Sequence, residues 1–373
     1  MREFNKIIVY YPSFERGGIT KILQNFVNEC INKKIDVYLI TEGLNWKDNY
    51  KVSNKVKIIP IKKFNFTFFS KRIISSVLSI NSMISLFSNI NKKKTIFFSF
   101  QSNIVPIIIC KLFGIKIVIR NSEDIFEATR YADIKILAYF VFLLKIIFYN
   151  LSDGVIANST KSKKSLEKIL LKTDKVKLIF NPYINKLQKK KYCKKQKIIL
   201  SIGRLCKQKN FQTLIRAFKI FNKNNKNYKL IILGHGPDKQ KLENLSKNLG
   251  IKKKVIFKNW VVDTNIYLKK AKFFVLPSLY EGLPNALIDA VNCEVPSIST
   301  RCSGAEDILY HKNGIYFQFK NYEELAKKLK IMDCNYKESI NRIIISKSKI
   351  YRFYIKNQVE KYIKYLNKIM INL

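Results

Sequence analysis

The chain has 373 residues, 47 % apolar and 13 % aromatic, enough for real cores and too apolar for a globally disordered polypeptide. Seventy Lys and Arg against 26 Asp and Glu give a formal net charge of +44, and 60 of those cations are Lys. Seven Cys without a C-x-x-C pair argue against a disulfide framework or a zinc site and fit a reducing cytoplasm; two His, His235 and His311, argue against histidine-rich metal catalysis.

The chain enters the apolar run Lys6-Ile7-Ile8-Val9-Tyr10 directly, which is not a signal-peptide pattern. Lys6–Tyr11 is predicted as a strand ending in a loop with Gly17 and Gly18. A helix follows, with Ile22, Leu23, Phe26, Val27 and Cys30 at helical spacing. Paired glycines between strand and helix let a backbone approach a ligand and leave amides for an anion, although a plain tight turn has the same pattern. Further strands are predicted at Asp36–Thr41, Lys55–Pro60, Thr95–Phe100, Lys116–Arg120 and Gly154–Asn158. From Lys62 to Arg72 aromatics interleave with cations, and an apolar-rich helix runs from Ile73 to Ile90. That stretch suits an anionic membrane surface, or a helix packed on the sheet with its lysines outside. Ile134 to Tyr149 is the nearest approach to the ~18–20 apolar residues of a membrane span. Lys135 and Lys145 break it, so it reads as a helix that is buried or lies at a surface.

Phe180-Asn181-Pro182-Tyr183 reads as a strand end with a turn, and the charged stretch 184–196 after it as a linker. A second series of strands follows at Lys197–Ile202, Tyr228–Leu233, Val255–Phe257, Phe273–Leu276 and Pro296–Ser299, each before a helical pattern. Strands alternating with helices mean parallel, doubly wound sheets, so two α/β domains of similar size are expected, 1–183 and 197–350. Residues 351–373 are expected as a C-terminal helix packing back on the first domain.

Open α/β sheets bind ligands at the carboxyl ends of their strands. In the second half Gly203 ends a strand, and Arg204 and Lys209 stand five apart around a helix start. Arg offers a planar fork to phosphate and Lys a point charge, and with only ten Arg in the chain the Arg is the more telling. The segment Tyr280-Glu281-Gly282-Leu283-Pro284-Asn285 follows another apolar strand. Pro284 suits a first helical turn, which would present free amides from Asn285, Ala286 and Leu287 to an anion. Glu281 precedes that turn and Asp289 lies inside the helix. These cations suit a diphosphate and these carboxylates suit sugar hydroxyls.

Gly203-Arg204-Leu205-x-x-x-Lys209-Asn210, Leu233-Gly234-His235-Gly236-Pro237 and the Tyr280–Asn285 segment resemble, in order and spacing, the retaining glycosyltransferases of family 4, and the stretch Ser299–Leu309 resembles the family's next loop-helix element in its bacterial cell-surface polysaccharide branch. Gly17-Gly18 and Val155-Ile156-Ala157-Asn158-Ser159 extend the resemblance loosely into the first half. It implies a GT-B fold: two Rossmann-like doubly wound parallel-sheet domains facing a cleft, an N-terminal acceptor-binding domain and a C-terminal nucleotide-sugar-binding domain. It implies transfer of a hexose or N-acetylhexosamine from a nucleotide-sugar, usually a UDP-sugar, to a glycolipid or lipid-linked oligosaccharide, with no metal and no cofactor. Arg204 and Lys209 would neutralise the diphosphate and Glu281 would contact the donor sugar. Asp289, where the family usually has Glu, would hold the ribose. Gly17, Gly18, Gly203, His235, Gly282, Leu283, Asn285, Ala286 and Leu287 would line the donor. The family often has a His near the reacting centre in its N-terminal domain; here Arg120, Asn121 and Glu123 occupy the corresponding region as acceptor-side candidates, with a solvated loop as the plainer alternative.

The charge admits two origins. An AT-rich coding sequence drifts toward Lys, Asn and Ile; an anionic partner, either nucleic acid or an acidic membrane face, selects for cations. No nucleic-acid reading motif accompanies the charge. The expected setting is a monomer in the cytoplasm, peripheral on the inner face of the cell membrane. An epimerase of the same fold is the rival activity. A dinucleotide dehydrogenase is disfavoured because no G-x-G-x-x-G follows a strand.

Overall fold

The structure, a computed structural model, describes residues 4–12, 17–42, 52–62, 71–188 and 195–371. The chain divides into two compact units, Met1–Asn185 with Arg352–Leu373, and Lys186–Tyr351.

The first unit opens with β1 (Lys6–Tyr10), α1 (Gly18–Asn32), β2 (Asp36–Glu42), β3 (Lys57–Ile61) and α2 (Lys71–Phe87). It continues through β4 (Thr95–Ser99), α3 (Ile104–Leu112), β5 (Ile117–Asn121), α4 (Ile125–Arg130) and α5 (Lys135–Leu151), then β6 (Gly154–Ala157), α6 (Thr160–Glu167) and β7 (Val176–Leu178). All seven strands are parallel, in the order β3-β2-β1-β4-β5-β6-β7. Their inner strands are buried on both faces, which is why they read as continuous apolar runs. Phe97 and Ile119 face Met83, Phe87, Ile107 and Tyr149 from α2, α3 and α5. Phe98 points to the other face, where it meets Phe26 of α1 at 5.2 Å between ring centroids.

The second unit runs β8 (Ile198–Ile202), α7 (Phe211–Asn224), β9 (Lys229–Leu233), α8 (Lys239–Asn248), β10 (Val255–Lys258), α9 (Asn265–Lys270) and β11 (Phe273–Leu276). Then come α10 (Asn285–Asn292), β12 (Ser297–Thr300), α11 (Ala305–Leu309), β13 (Ile315–Phe317), α12 (Tyr322–Cys334) and α13 (Tyr336–Ser348). Its six parallel strands are ordered β10-β9-β8-β11-β12-β13. The chain thus runs outward one way from β8, then returns to β11 on the other side, making β8/β11 the point where strand order reverses. Such a reversal opens a crevice between two diverging loops. The first sheet has the same device at β1/β4.

The last helix, α14 (Ile355–Ile371), belongs to the first unit and packs on α1. Tyr362 sits 5.3 Å from Phe26 between ring centroids, and the Tyr365 hydroxyl bonds to the Lys175 carbonyl. Ile184 bridges to Tyr354, its amide 2.8 Å from the Phe353 carbonyl. That residue, read as the start of the linker, is therefore fixed in the first unit; residues 189–194 of the linker lie outside the described residues.

One strand escapes the sequence reading, β13, three residues long and at a sheet edge, while the strand end read at Phe180–Tyr183 falls just past β7, equally short and at the other sheet's edge. So few residues, covered on one side only, show no apolar run for a reader to find.

Candidate functional site

The β8/β11 crevice of the second unit gathers the residues expected on the donor side. Leu205, fully buried, pins the loop after β8 into the core, and its amide donates to the His235 carbonyl at 3.0 Å. Asn210 adopts a left-handed backbone at φ 50°, which Asn tolerates better than most residues. From there its side-chain amide reaches the Pro277 carbonyl at 3.2 Å. Gln208 laces the same two loops: its carbonyl accepts from the Leu279 amide at 2.8 Å and its side-chain amide donates to the Tyr280 carbonyl at 2.9 Å. Thr300, ending β12, donates to the Ser278 carbonyl at 2.6 Å and ties in a third loop.

Two glycines permit backbone approaches that no side chain allows. At Gly234 φ is +152°, and a Cβ there would stand 1.9 Å from the Gly203 carbonyl oxygen. At Gly304 φ is +77°, and a Cβ would stand 2.4 Å from the Gly282 carbonyl oxygen. The loops after β8, β9, β11 and β12 are thereby pressed backbone to backbone at one end of the sheet.

Within this frame Lys209 and Glu281 form an ion pair, their side chains 18 % and 10 % exposed. The same carboxylate oxygen, Oε1, accepts from the Ser278 hydroxyl at 2.8 Å. Burial pushes the Lys209 ammonium pKa down, but the adjacent Glu281 charge and hydrogen bond outweigh it and hold the pKa above its ordinary value. The lysine is a fixed cation. Arg204 differs: it is exposed, and among the described residues no carboxylate pairs with it. His235 is also exposed, its carbonyl used to hold Leu205.

The turn into α10 is opened by Pro284 and carries no acidic residue, which leaves the positive end of the helix uncompensated. One expectation is corrected. The Leu287 amide is not free for an anion, because it donates to the Pro284 carbonyl at 3.0 Å, and the Leu287 side chain is fully buried. Asn285, Ala286 and Asp289 are half-buried on this helix, while Gly282 and Leu283 are buried at its approach. Four residues beyond Asp289, burial and then the Asp289 charge push the Cys293 thiol up to about 11.

Residues 184–348 match the family model of the glycosyl transferases group 1. Over 98 % of its length, and 99 % of the relative's, the chain is 28 % identical to the Campylobacter jejuni GalNAc-alpha-(1->4)-GalNAc-alpha-(1->3)-diNAcBac-PP-undecaprenol alpha-1,4-N-acetyl-D-galactosaminyltransferase. The chain is a glycosyltransferase whose second unit carries the group 1 match. It is also 34 % identical, over 56 % of its length and 55 % of the relative's, to an uncharacterised glycosyltransferase of Methanocaldococcus jannaschii. The crystal structure of Anabaena HepE with UDP and glucose matches it with a TM-score of 0.77 at 14 % identity, covering 98 % of this chain and 100 % of that one. The fold is GT-B.

The other predicted residues of the glycosyltransferase lie in its first unit. Gly17 caps α1 in extended backbone, with nothing within 4 Å of where a Cβ would stand. Arg120 is 1 % exposed at the end of β5, so it is no solvated loop residue. Its guanidinium donates to Asn181 at 2.5 Å and to Ser122, and lies 5.5 Å from the Phe100 ring centroid. Asn121, also buried, bonds to the Ser162 hydroxyl at 3.1 Å. Both hold the β5 loop from inside. Glu123 is the open one of the three and pairs with Lys145 at 3.2 Å.

Three residues that position the site were not singled out from the sequence: Ser278, Gln208 and Thr300. Ser278 had a signal, a small hydroxyl between an apolar strand and Glu281, three residues before the carboxylate it holds. Gln208 and Thr300 had none, since their partners are carbonyls of a distant loop.

Proposed function

We propose that this glycosyltransferase is a retaining member of family 4 that moves a hexose or N-acetylhexosamine from a UDP-sugar to a lipid-linked or cell-surface glycan acceptor in bacterial polysaccharide assembly. The observation that carries the reading is the Lys209–Glu281 pair at the β8/β11 reversal, with the unpaired Arg204 on the same loop as Lys209. A diphosphate leaving group needs positive charge where negative charge develops, and fixed cations supply it without reorganising. Arg204 offers the fork and Lys209 the point charge. Glu281, held by Lys209 and Ser278, presents a rigid carboxylate to sugar hydroxyls.

In the step itself the bond from the anomeric carbon to the diphosphate oxygen breaks. A bond from that carbon to the acceptor oxygen forms on the same face, and the acceptor's proton passes to the departing phosphate. No enzyme nucleophile is needed, and neither metal nor cofactor takes part. The acceptor side is supported by the Campylobacter relative, whose name specifies an undecaprenol-diphosphate glycan, and the donor side by Anabaena HepE, crystallised with UDP and glucose. A monomer working at the inner face of the cell membrane accords with such an acceptor.

A thermal-shift panel of UDP-sugars, followed by transfer to undecaprenol-diphosphate glycans with EDTA present and product analysis by NMR, tests each part. An axial α-linkage from an α-donor is expected. Failure of every UDP-sugar to stabilise the chain, or inversion in the product, overturns the reading.

A further inference from the structure

α5 is the most exposed apolar element among the described residues. Seven of its large apolar side chains, Ile136, Leu137, Tyr139, Phe140, Leu143, Ile147 and Leu151, are 49–86 % exposed. At about 100° per residue they form one stripe roughly 160° wide along the outer face of the helix. Its other side is occupied: Phe142 packs on Phe126 of α4, and Tyr149 is buried against Asn103, which it meets at 3.1 Å. By contrast α2, the continuation of the Lys62–Arg72 stretch, turns Met83 and Phe87 into the core and exposes only Val77 and Ile84 among its described large apolar side chains. Lys63–Ser70 lies outside the described residues.

Charge selects the partner. α5 contains no Asp or Glu. The acidic groups around it are largely neutralised within the unit: Asp153 pairs with Lys111 at 2.9 Å, Glu123 with Lys145, Glu127 with Lys161, and Glu167 with Lys163 at 3.2 Å. Asp133 and Asp174 remain exposed. Exposed cations sit at both ends of the stripe. Arg130 and Lys135 are at its start. Lys168 and Lys172 flank the segment that Asn150 of α5 holds through the Ile169 carbonyl and the Leu171 amide. Leu112, on α3 packed beside α5, and Leu171, whose amide Asn150 holds, add two more exposed apolar groups. An apolar stripe on a 17-residue helix with cations at its ends suits the interface of an anionic bilayer.

We propose that the outer face of α5 is the surface by which this glycosyltransferase inserts into an anionic membrane. The inference rests on the membrane-side reading above for its partner and moves the point of contact from the Lys62–Arg72 stretch to α5. The face adds what net charge alone does not: attachment that survives salt.

The test uses the full chain and vesicles of phosphatidylglycerol and phosphatidylethanolamine, at about 0.1 M and about 0.5 M NaCl, where the Debye length falls from ~10 Å to under half of that. The variant carries Ile136→Gln, Phe140→Gln, Leu143→Gln and Ile147→Gln, all exposed positions, and its melting temperature and UDP affinity are measured alongside. The wild type should bind vesicles at both salts. The variant should lose about tenfold or more of that binding, with melting and UDP affinity unchanged. A second probe is Phe140→Trp, whose emission should be quenched by brominated acyl chains. Variant binding equal to wild type, or wild-type binding abolished by high salt, would show adsorption by bulk charge and overturn the proposal. So would a wild-type dimer in solution that the four substitutions dissociate. If UDP fails to bind while vesicle binding still depends on α5, the surface stands and the donor reading fails.

Discussion

Lys209 and Glu281 lie 72 residues apart in the chain and meet as an ion pair at the carboxyl ends of two adjacent strands. The pair joins a loop that offers cations to a loop that offers a carboxylate, and each residue is held in place by the other. Ser278 donates to the same carboxylate oxygen and fixes it further.

Glu281→Gln keeps the shape of that side chain and removes its charge. Lys209 then stands nearly buried without its counter-ion. Breaking a buried pair costs about 3–5 kcal/mol, and partial exposure lowers this to about 2 kcal/mol. Transfer should fall by about 10²–10³-fold if the carboxylate acts on the transition state. Urea denaturation and single-turnover transfer measured on the same preparation separate the two effects. Near-wild-type turnover in this variant would remove Glu281 from the reaction.

The raised pKa of Lys209 fixes the sign of a pH effect. A lysine held above its unfolded value contributes stability that is complete below about pH 10.4 and is lost as pH rises through the folded value. Wild type and Lys209→Met should therefore differ by a constant stability gap from pH 7 to about 10, then converge in stronger alkali. Denaturant midpoints against pH for both proteins test this; the difference cancels the other lysines and tyrosines. A gap that widens with alkali would contradict it.

The glycines divide into two classes by what surrounds them. Gly234→Ala places a Cβ 1.9 Å from the Gly203 carbonyl oxygen, at a backbone angle that L side chains rarely adopt. One of the two loops must move, at a cost of about 3 kcal/mol or more. UDP affinity should fall with stability, because Arg204 follows Gly203 directly. Gly17→Ala meets nothing within 4 Å and sits in extended backbone, so its melting temperature should stay at the wild-type value. If Gly17→Ala nevertheless lowers transfer, the missing side chain matters to a bound molecule and not to the fold. Calorimetry paired with activity reads both variants.

Much of this was legible because the physics that shapes parallel sheets also marks the sequence. Strands such as Phe273–Leu276 are buried on both faces and stand out as apolar runs between helices. The site loops stood out through residue types with few other uses at a strand end: Gly203, Arg204 and Pro284. What stayed hidden depends on partners far away in the chain. Nothing local to Gln208 announces that it holds Leu279 and Tyr280, and nothing at Leu287 says its amide folds back on Pro284. α5 was visible as apolar, but its exposure was not, since an outward stripe and a buried one have the same composition.

Arg204 gives the sharpest contrast with Lys209. It is exposed and unpaired among the described residues, so replacing it disturbs no internal contact. Arg204→Ala should leave the melting temperature within experimental error of wild type. A charge-assisted hydrogen bond to a diphosphate is worth about 1.5–3 kcal/mol, so UDP affinity should fall by roughly 10–100-fold. Arg204→Lys keeps the charge but loses the planar fork, and should recover only part of the loss. Uridine, which lacks the phosphates, should be insensitive to either substitution. Titration calorimetry with UDP and uridine on the three proteins measures all of this. A uridine affinity that falls in step with that of UDP would place Arg204 against the nucleoside and leave the diphosphate to Lys209.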